Sequence, residues 1–488
     1  MRLSYLAYSF SLTVMYFSFV LLMPVIVALV YKDYSSILPF MIASSLAYLT
    51  SVTIKKVIKS SNDVKSINDI KKSEGLCVVT FSWIFAGLFA AIPYVLFGIT
   101  PLDAFYEATS GITTTGGTIL TSLDYPKALL FWRSFTQWLG GMGIIVLFIA
   151  ILPQFAIAGR QLFFAETPGP TEDKFTPRIK NTAAALWKIY AGLTLLLIVL
   201  LIINGMDIFY AICNSLSAIS GGGLSPNQNS MVGLSHTILW IITVFMFLAG
   251  CNFNLLYRVA TKFNPLLLLK NEEFRTYSMM IVGIGILLTL SLFINMHYSI
   301  NDSFVHSFFN IVSVVSTTGY CSVDYAQWDY VSKILLFAIM LMGSCASSAG
   351  GGLKVMRWLL IFKIMKSEMI KILHPKAVFN IKIGNYSVSK DVLYQTLMFV
   401  SFYFAFLALS AFLIAIIEKN TLIGITGAVS AIGNIGPGFG IIGPLNNFES
   451  MNDLTKIILI IDMYVGRLEL IPFLVLFQKD FWSFKSVK

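Results

Sequence analysis

The chain has 488 residues, of which 57% are hydrophobic and 12% charged, with a formal net charge of +10 and a mean hydropathy of +0.79. A soluble domain needs more polar surface than this to cover itself, which excludes an ordinary water-soluble fold and points to lipid as the solvent. The positive charge needs no nucleic acid to account for it, because its distribution along the chain is that of a membrane topology.

Taken in order, nine stretches carry no Asp, Glu, Lys or Arg and are long enough to span or nearly span a bilayer: 4–31, 34–54, 76–102, 134–159, 189–206, 237–257, 276–296, 334–353 and 392–417. A membrane helix needs about 20 such residues. A tenth stretch, 457–478, is apolar but contains Asp462, Arg467 and Glu469. The first stretch is too long for the apolar core of a signal peptide, and no small-residue cleavage site precedes Lys32, so a retained helix is expected. Ten spans put both termini on one side. With the N-terminus inside, the inside segments hold 27 Lys and Arg and the outside segments six. The positive-inside rule then expects both termini in the cytoplasm of a multi-pass plasma-membrane protein. The outside segments are net acidic, which would concentrate cations near a pore mouth.

Four outside connections share one word. They read SGITTTG (Ser110–Gly116), SAISGGG (Ser217–Gly223), SVVSTTG (Ser313–Gly319) and SAIGNIG (Ser430–Gly436). Each opens with Ser, has Ile or Val two residues on, and reaches Gly six residues on. Recurrence of one word at a near-constant period marks an internal repeat. The expected organisation is two extra N-terminal helices (1–75), then pore repeats at 76–160, 185–262, 276–365 and 388–480. Before each word a half-helix is expected, opened by Asp103, Asp207, Asp302 and, in the fourth, Asn420 or Thr421 as N-caps. Four loops of this kind meeting on an axis would offer a ring of carbonyls able to replace an ion's hydration shell. Irregular backbone at membrane depth is tolerated only where protein buries it or water fills it. The inward helix ends favour a cation. The fold class expected is thus all-α integral membrane, with ten transmembrane helices, four re-entrant loops and pseudo-fourfold symmetry.

These words in this order, with FWRSFTQWLGGMGIIVLFIAILP (Phe131–Pro153), AETPGPTEDKFTPRI (Ala165–Ile179), SCASSAGGGLK (Ser344–Lys354) and GRLELIP (Gly466–Pro472), resemble the membrane subunit of the Trk/Ktr/HKT potassium-transport superfamily, its Trk branch in particular. The resemblance implies potassium uptake, a homodimer, a cytosolic nucleotide-binding regulatory subunit, and potassium ions as the only bound metal. It carries the filter glycines over to Gly116, Gly223, Gly319 and Gly436, with Thr114, Thr115, Gly222, Thr317, Thr318, Asn434 and Ile435 beside them. In the second word Gly221 and Gly222 adjoin, so the register there rests on the Ser-plus-six count. In this superfamily Ser at the first filter glycine goes with sodium, so Gly116 favours potassium.

The segment Gly343–Gly352 has no large apolar side chain. It is either a close helix–helix contact between small residues or a flexible loop under the filter. The resemblance implies the latter, an intramembrane gate built from Gly343, Ser347, Ser348, Gly350, Gly351, Gly352 and Lys354, with Arg467 touching it. An arginine in an apolar span needs a wet cavity or a partner. The candidates are Asp462 and Glu469, in a structural ion pair, or the carbonyls of 343–352. Lys354 alternatively snorkels at the cytoplasmic edge. Two other function classes compete with this one. A proton- or sodium-coupled symporter also uses broken helices and repeats, and only Asp462 and Glu469 are carboxylates inside the expected spans. An enzyme is not expected: His236, His297, His306 and His374 show no metal-ligand spacing, and the five cysteines show no CxxC.

Overall fold

The computed structural model describes residues 3–59, 72–143, 179–375, 380–384, 386–469 and 473. Apart from one hairpin with two-residue strands, Lys382–Ile383 and Tyr386–Ser387, the described chain is helical. It opens with α1 (Leu3–Val20), α2 (Met23–Tyr31) and α3 (Ile37–Lys59). The break between α1 and α2 falls where Pro24 enters the first turn of the second helix, a position proline fits because no backbone donor is needed there.

Thereafter one unit recurs four times: a long apolar helix, a short helix, a loop, and an outgoing helix. The long members are α4 (Lys72–Leu96), α7 (Ile179–Ile203), α12 (Glu272–Asn295) and α16 (Lys390–Glu418). The short members are α5 (Pro101–Ile112), α8 (Ile208–Ser220), α13 (Ile300–Val315) and α17 (Thr421–Gly433). The outgoing members are α6 (Lys127–Gly141), α9 (His236–Ala249), α14 (Tyr330–Met340) and α18 (Asp453–Arg467). Between units lie α10 (Phe253–Lys262), α11 (Leu266–Lys270) and α15 (Val355–Leu373). The short helices have 12 to 16 residues; at about 1.5 Å per residue this is roughly 18–24 Å, less than the hydrocarbon core.

Packing closes the four units into a ring. Each long helix lies on the short helix that follows it, and each outgoing helix lies on the short helix of the next unit: α6 on α8, α9 on α13, α14 on α17, and α18 back on α5. The short helices are buried over their C-terminal halves, polar residues included. Large apolar side chains such as Leu195, Val199, Ile203, Leu287 and Phe412 stand exposed on the outside of the long helices. An exposed apolar belt around a polar-lined interior is the inverse of a soluble protein and suits a lipid surround.

Among the described residues, six of the expected spans are helices long and apolar enough to cross a membrane, and a seventh is the pair α9 and α10, bent by 104° at Gly250–Asn252. This bend interrupts the expected span 237–257: Asn252 caps a new helix by accepting from the N–H groups of Asn254 and Leu255. The expected span 334–353 is helical only to Met340, after which Gly and Ser residues leave the helix. Of the expected spans 134–159 and 457–478, residues 144–159, 470–472 and 474–478 lie outside the described residues.

The caps also differ from expectation. Asp207 and Asn420 do cap α8 and α17. In α5 and α13 the caps are Thr100 and Ser299, and Asp103 and Asp302 sit three residues later. The reason is a capping-box pairing. Thr100 Oγ1 donates to Asp103 Oδ2 (2.8 Å) and accepts from its N–H (3.3 Å). Ser299 and Asp302 repeat this at 2.7 and 3.1 Å.

Candidate functional site: a four-loop ring and the loop beneath it

Each short helix ends in its Ser-to-Gly word, and the four words adopt one backbone path. The residue two before the final glycine is left-handed in every case: Thr114 (φ 56), Gly221 (φ 68), Thr317 (φ 59) and Asn434 (φ 52). The final glycines follow suit, Gly116 at φ 84, Gly223 at 76, Gly319 at 80 and Gly436 at 101. A side chain is strained in that region, and glycine is not. In each word the opening serine's carbonyl accepts from the N–H five residues on: Thr115, Gly222, Thr318 and Ile435, at 2.8 to 2.9 Å.

The glycines are also required by their neighbours. A Cβ on Gly116 would meet the carbonyl oxygen of Gly222, one on Gly223 that of Thr318, one on Gly319 that of Ile435, and one on Gly436 that of Thr115, all under 3.0 Å. Loop one therefore backs onto loop two, two onto three, three onto four, and four onto one. This closed circuit brings together Thr115, Gly116, Gly222, Gly223, Thr318, Gly319, Ile435 and Gly436, with Thr114, Thr317 and Asn434 one step below. It also separates Gly223 from Gly221 and Gly222 in the ambiguous second word. A cavity of about 80 Å³ opens over the four glycines. Its walls carry Asn227, Asn446 and Asn447, and among the described residues no Asp or Glu lines it.

Braces that spacing did not disclose hold the loops from behind. Seven residues after the cap of each short helix stand Glu107, Asn214, His306 and Gly427. The first three each bond a hydroxyl just past the glycine of their own loop. Thr118 Oγ1 donates to Glu107 (2.9 Å), Ser225 Oγ to Asn214 Oδ1 (3.0 Å), and Ser322 Oγ pairs with His306 Nδ1 (2.9 Å). Glu107 is buried and also pairs with buried Arg133 (Nε–Oε1 2.8 Å), whose Nη1 donates to the Ser225 carbonyl of the neighbouring loop (3.3 Å). Arg133 is a clasp between loops one and two. Gln137, one turn on in α6, donates to the Gly222 carbonyl (2.5 Å) and accepts from Leu224 N–H (3.0 Å). The signal was the i, i+4 spacing of Arg133 and Gln137 on one helix face; the acceptors lie in another unit and could not be read from it.

Beneath the ring lies the segment 341–354, without helix. Gly351 N–H donates to Thr317 Oγ1 (2.7 Å). Cβ atoms on Gly350 and Gly351 would fall against the carbonyls of Ser316 and Gly433, so the segment touches the ring directly. It is closed on itself by Gly343 N–H to Leu353 O and Val355 N–H to Ser344 O, both 3.0 Å. It is tied to the α9–α10 bend by Cys345 N–H to Gly250 O (2.9 Å) and Phe253 N–H to Ser347 O (3.1 Å). Buried Glu273 takes Ala346 N–H (2.6 Å). Lys354 does not snorkel: it is buried and donates to the Gly350 carbonyl and to Ser344 and Ser348. Arg467 donates to the carbonyls of Ala349 (2.9 Å) and Gly141 (2.9 Å) and to that of Gly140. The carboxylates near it in sequence are engaged elsewhere, Asp462 with Ser410 and Glu469 with Arg357.

The family profile described as TrkH, cation transport protein, matches residues 40–488. The chain belongs to this TrkH family of cation transport proteins. Among its TrkH-family relatives, the Trk system potassium uptake protein TrkH of Escherichia coli (strain K12) is 37% identical over 96% of this chain and 97% of its own length. The TrkH of Vibrio parahaemolyticus is 35% identical over 96% of both chains. The crystal structure of the potassium transporter TrkH from Vibrio parahaemolyticus superposes with a TM-score of 0.86 at 32% identity, over 99% of this chain and 100% of that one. TrkH-family membership and the apolar helices make the chain a multi-pass membrane transport protein.

Proposed function

We propose that this chain is the membrane subunit of a potassium uptake system in which potassium crosses through the four-loop ring. The observation that carries the reading is the closed circuit in which each loop's final glycine, at positive φ, backs onto the carbonyl before the glycine of the next loop. A ring assembled from backbone can hold an ion with carbonyl dipoles in place of its hydration shell, one of the ways a filter selects a cation. The loops enter and leave on one side, so four re-entrant segments within ten spans are the architecture proposed, with repeats at 76–160, 185–262, 276–365 and 388–480. Both termini then face the cytoplasm of a plasma-membrane protein. The segment Gly343–Gly352, with Lys354 and Arg467, is the gate: it lies across the exit of the ring and is held by hydrogen bonds that can be exchanged for water. In keeping with the resemblance, the working unit is a homodimer that a cytosolic nucleotide-binding subunit controls.

Flux into liposomes containing only this chain, compared for potassium, rubidium and sodium, tests the reading. Potassium and rubidium passing in preference to sodium is the expected result; equal passage of all three, or none from well-folded protein, refutes it. A coupled symporter is kept as a second reading for one reason, the buried carboxylate of Asp462. Asp462→Asn would then abolish driven uptake, whereas it leaves the flux of a simple ring unchanged.

A further inference from the structure

The four units differ at the junction where an outgoing helix meets the next short helix. At the junction of α18 with α5, Lys456 Nζ pairs with Asp103 Oδ1 at 2.7 Å, an ordinary ion pair. At the junction of α9 with α13, the first-turn residue of the outgoing helix is a histidine. His236 Nε2 lies 3.3 Å from Asp302 Oδ1. A second histidine, His306, follows Asp302 by four residues and so stands on the same face one turn along. A ring nitrogen of each histidine and an oxygen of Asp302 lie within 4.8 Å of one another.

We propose that His236, Asp302 and His306 bind a divalent transition metal of the zinc class on the mouth side of the ring. Two imidazoles and a carboxylate are a donor set suited to such ions, with water completing a tetrahedron. Bonds of about 2.0–2.1 Å place tetrahedral donors roughly 3.3 Å apart. Side-chain rotation closes the difference from 4.8 Å, because His236 and Asp302 are both about two-fifths exposed.

The remaining atoms of the three ligands are already oriented, as metal ligands need. Asp302 Oδ2 accepts from Ser299 Oγ (2.7 Å), leaving Oδ1 for the ion. His236 Nδ1 meets the side-chain amide of Asn301 (3.1 Å). With that amide turned so that its oxygen faces Nδ1–H, the lone pair of Nε2 points to the site. His306 Nδ1 meets Ser322 Oγ, which also accepts from Asn310 (3.0 Å). The bound ion would cross-link α9 to α13. It would also act on a residue bonded to Ser322, three residues past Gly319, and place positive charge on the side from which cations enter. A zinc-class ion therefore lowers flux. That consequence rests on the proposed function; the binding site does not.

The test uses the full chain in nanodiscs, with the metal alone as probe. Equilibrium dialysis against zinc is expected to show one saturable ion per chain with micromolar or tighter affinity, and a rise in melting temperature. His236→Ala, Asp302→Asn and His306→Ala should each weaken it at least tenfold. His236 is exposed enough that its variant should fold and keep basal flux, whatever becomes of His306→Ala. In liposomes, zinc on the mouth side should slow flux through the wild type and not through His236→Ala. Absence of saturable binding, or binding unchanged in His236→Ala and Asp302→Asn, overturns the site. Binding that is lost in the variants but never alters wild-type flux supports the site and overturns its coupling to the ring.

Discussion

Arg467→Ala tests whether the 341–354 segment is a closed gate. In the structure Arg467 contributes one charge-assisted hydrogen bond to that segment, at the Ala349 carbonyl, and two to the end of α6 at Gly140 and Gly141. The bond to the Ala349 carbonyl bears on the gate. A hydrogen bond to a charged group is worth about 1.5–3 kcal/mol net. At about 1.4 kcal/mol per factor of ten, its loss shifts the closed-to-open ratio by about tenfold to a little over a hundredfold. Flux per folded chain in liposomes, without any regulatory partner, should rise by a factor in that range while closure dominates. Arg467→Lys keeps the charge but loses the two-armed reach, so an intermediate rise is expected. Shortening Gly350–Gly352 removes the contacts with Ser316, Thr317 and Gly433 and should raise flux independently. A monodisperse elution profile and a single cooperative melting transition establish that a variant is folded. Unchanged or lower flux from folded Arg467→Ala and from the shortened loop together would refute the gate.

Gly116→Ser puts a side chain at φ 84 against the Gly222 carbonyl, so loops one and two must part there; the expected outcome is a folded chain with a lower melting temperature and a reduced potassium-to-sodium flux ratio, and an unaltered ratio would place the narrow point elsewhere. Gln137→Leu leaves the Gly222 carbonyl and Leu224 N–H without their partner, a loss of about 1–3 kcal/mol for each buried group, seen as a lower melting temperature and a reduced flux ratio. Arg133→Met strands the buried carboxylate of Glu107 and should destabilise by about 3–5 kcal/mol, which Glu107→Gln in the same chain partly restores. Cysteines at Asn68 and Asn380 should resist an impermeant thiol reagent applied outside cells, and one at Asn227 in the mouth cavity should react; labelling at Asn68 would reverse the orientation.

The architecture was legible where the signal is composition. Long uncharged stretches gave α1 to α4, α7, α12 and α16 because a helix in lipid must be apolar around most of its circumference. The same criterion failed at 237–257 and 334–353, where the apolar run continues through a break. Composition registers what a segment is dissolved in, not whether its backbone bonds to itself. Asn252 and the Gly–Ser run after Met340 end helices by offering other partners. The caps show the same limit on a smaller scale. An aspartate before an apolar run marks a helix start, but whether it is the cap or the third residue depends on a hydroxyl three places earlier, here Thr100 and Ser299.

The ring was legible for a different reason: it is made of backbone. A loop that needs left-handed residues and close approach can use only a few side chains, so the requirement is written as a short word, and the word recurs because the geometry does. What surrounds the ring is made of side chains that meet across units, and there each unit has its own solution. Glu107, Asn214 and His306 do one mechanical job with three chemistries, so no repeat in the letters betrays it. His236 and His306 look scattered in sequence because what brings His236 to Asp302 is the packing of α9 on α13. The pair Asp302 and His306, four apart at the start of a short helix, was the visible half of that arrangement. A pseudo-symmetric membrane protein therefore exposes its shared function in its repeats, and its individual function in the places where equivalent positions of those repeats disagree.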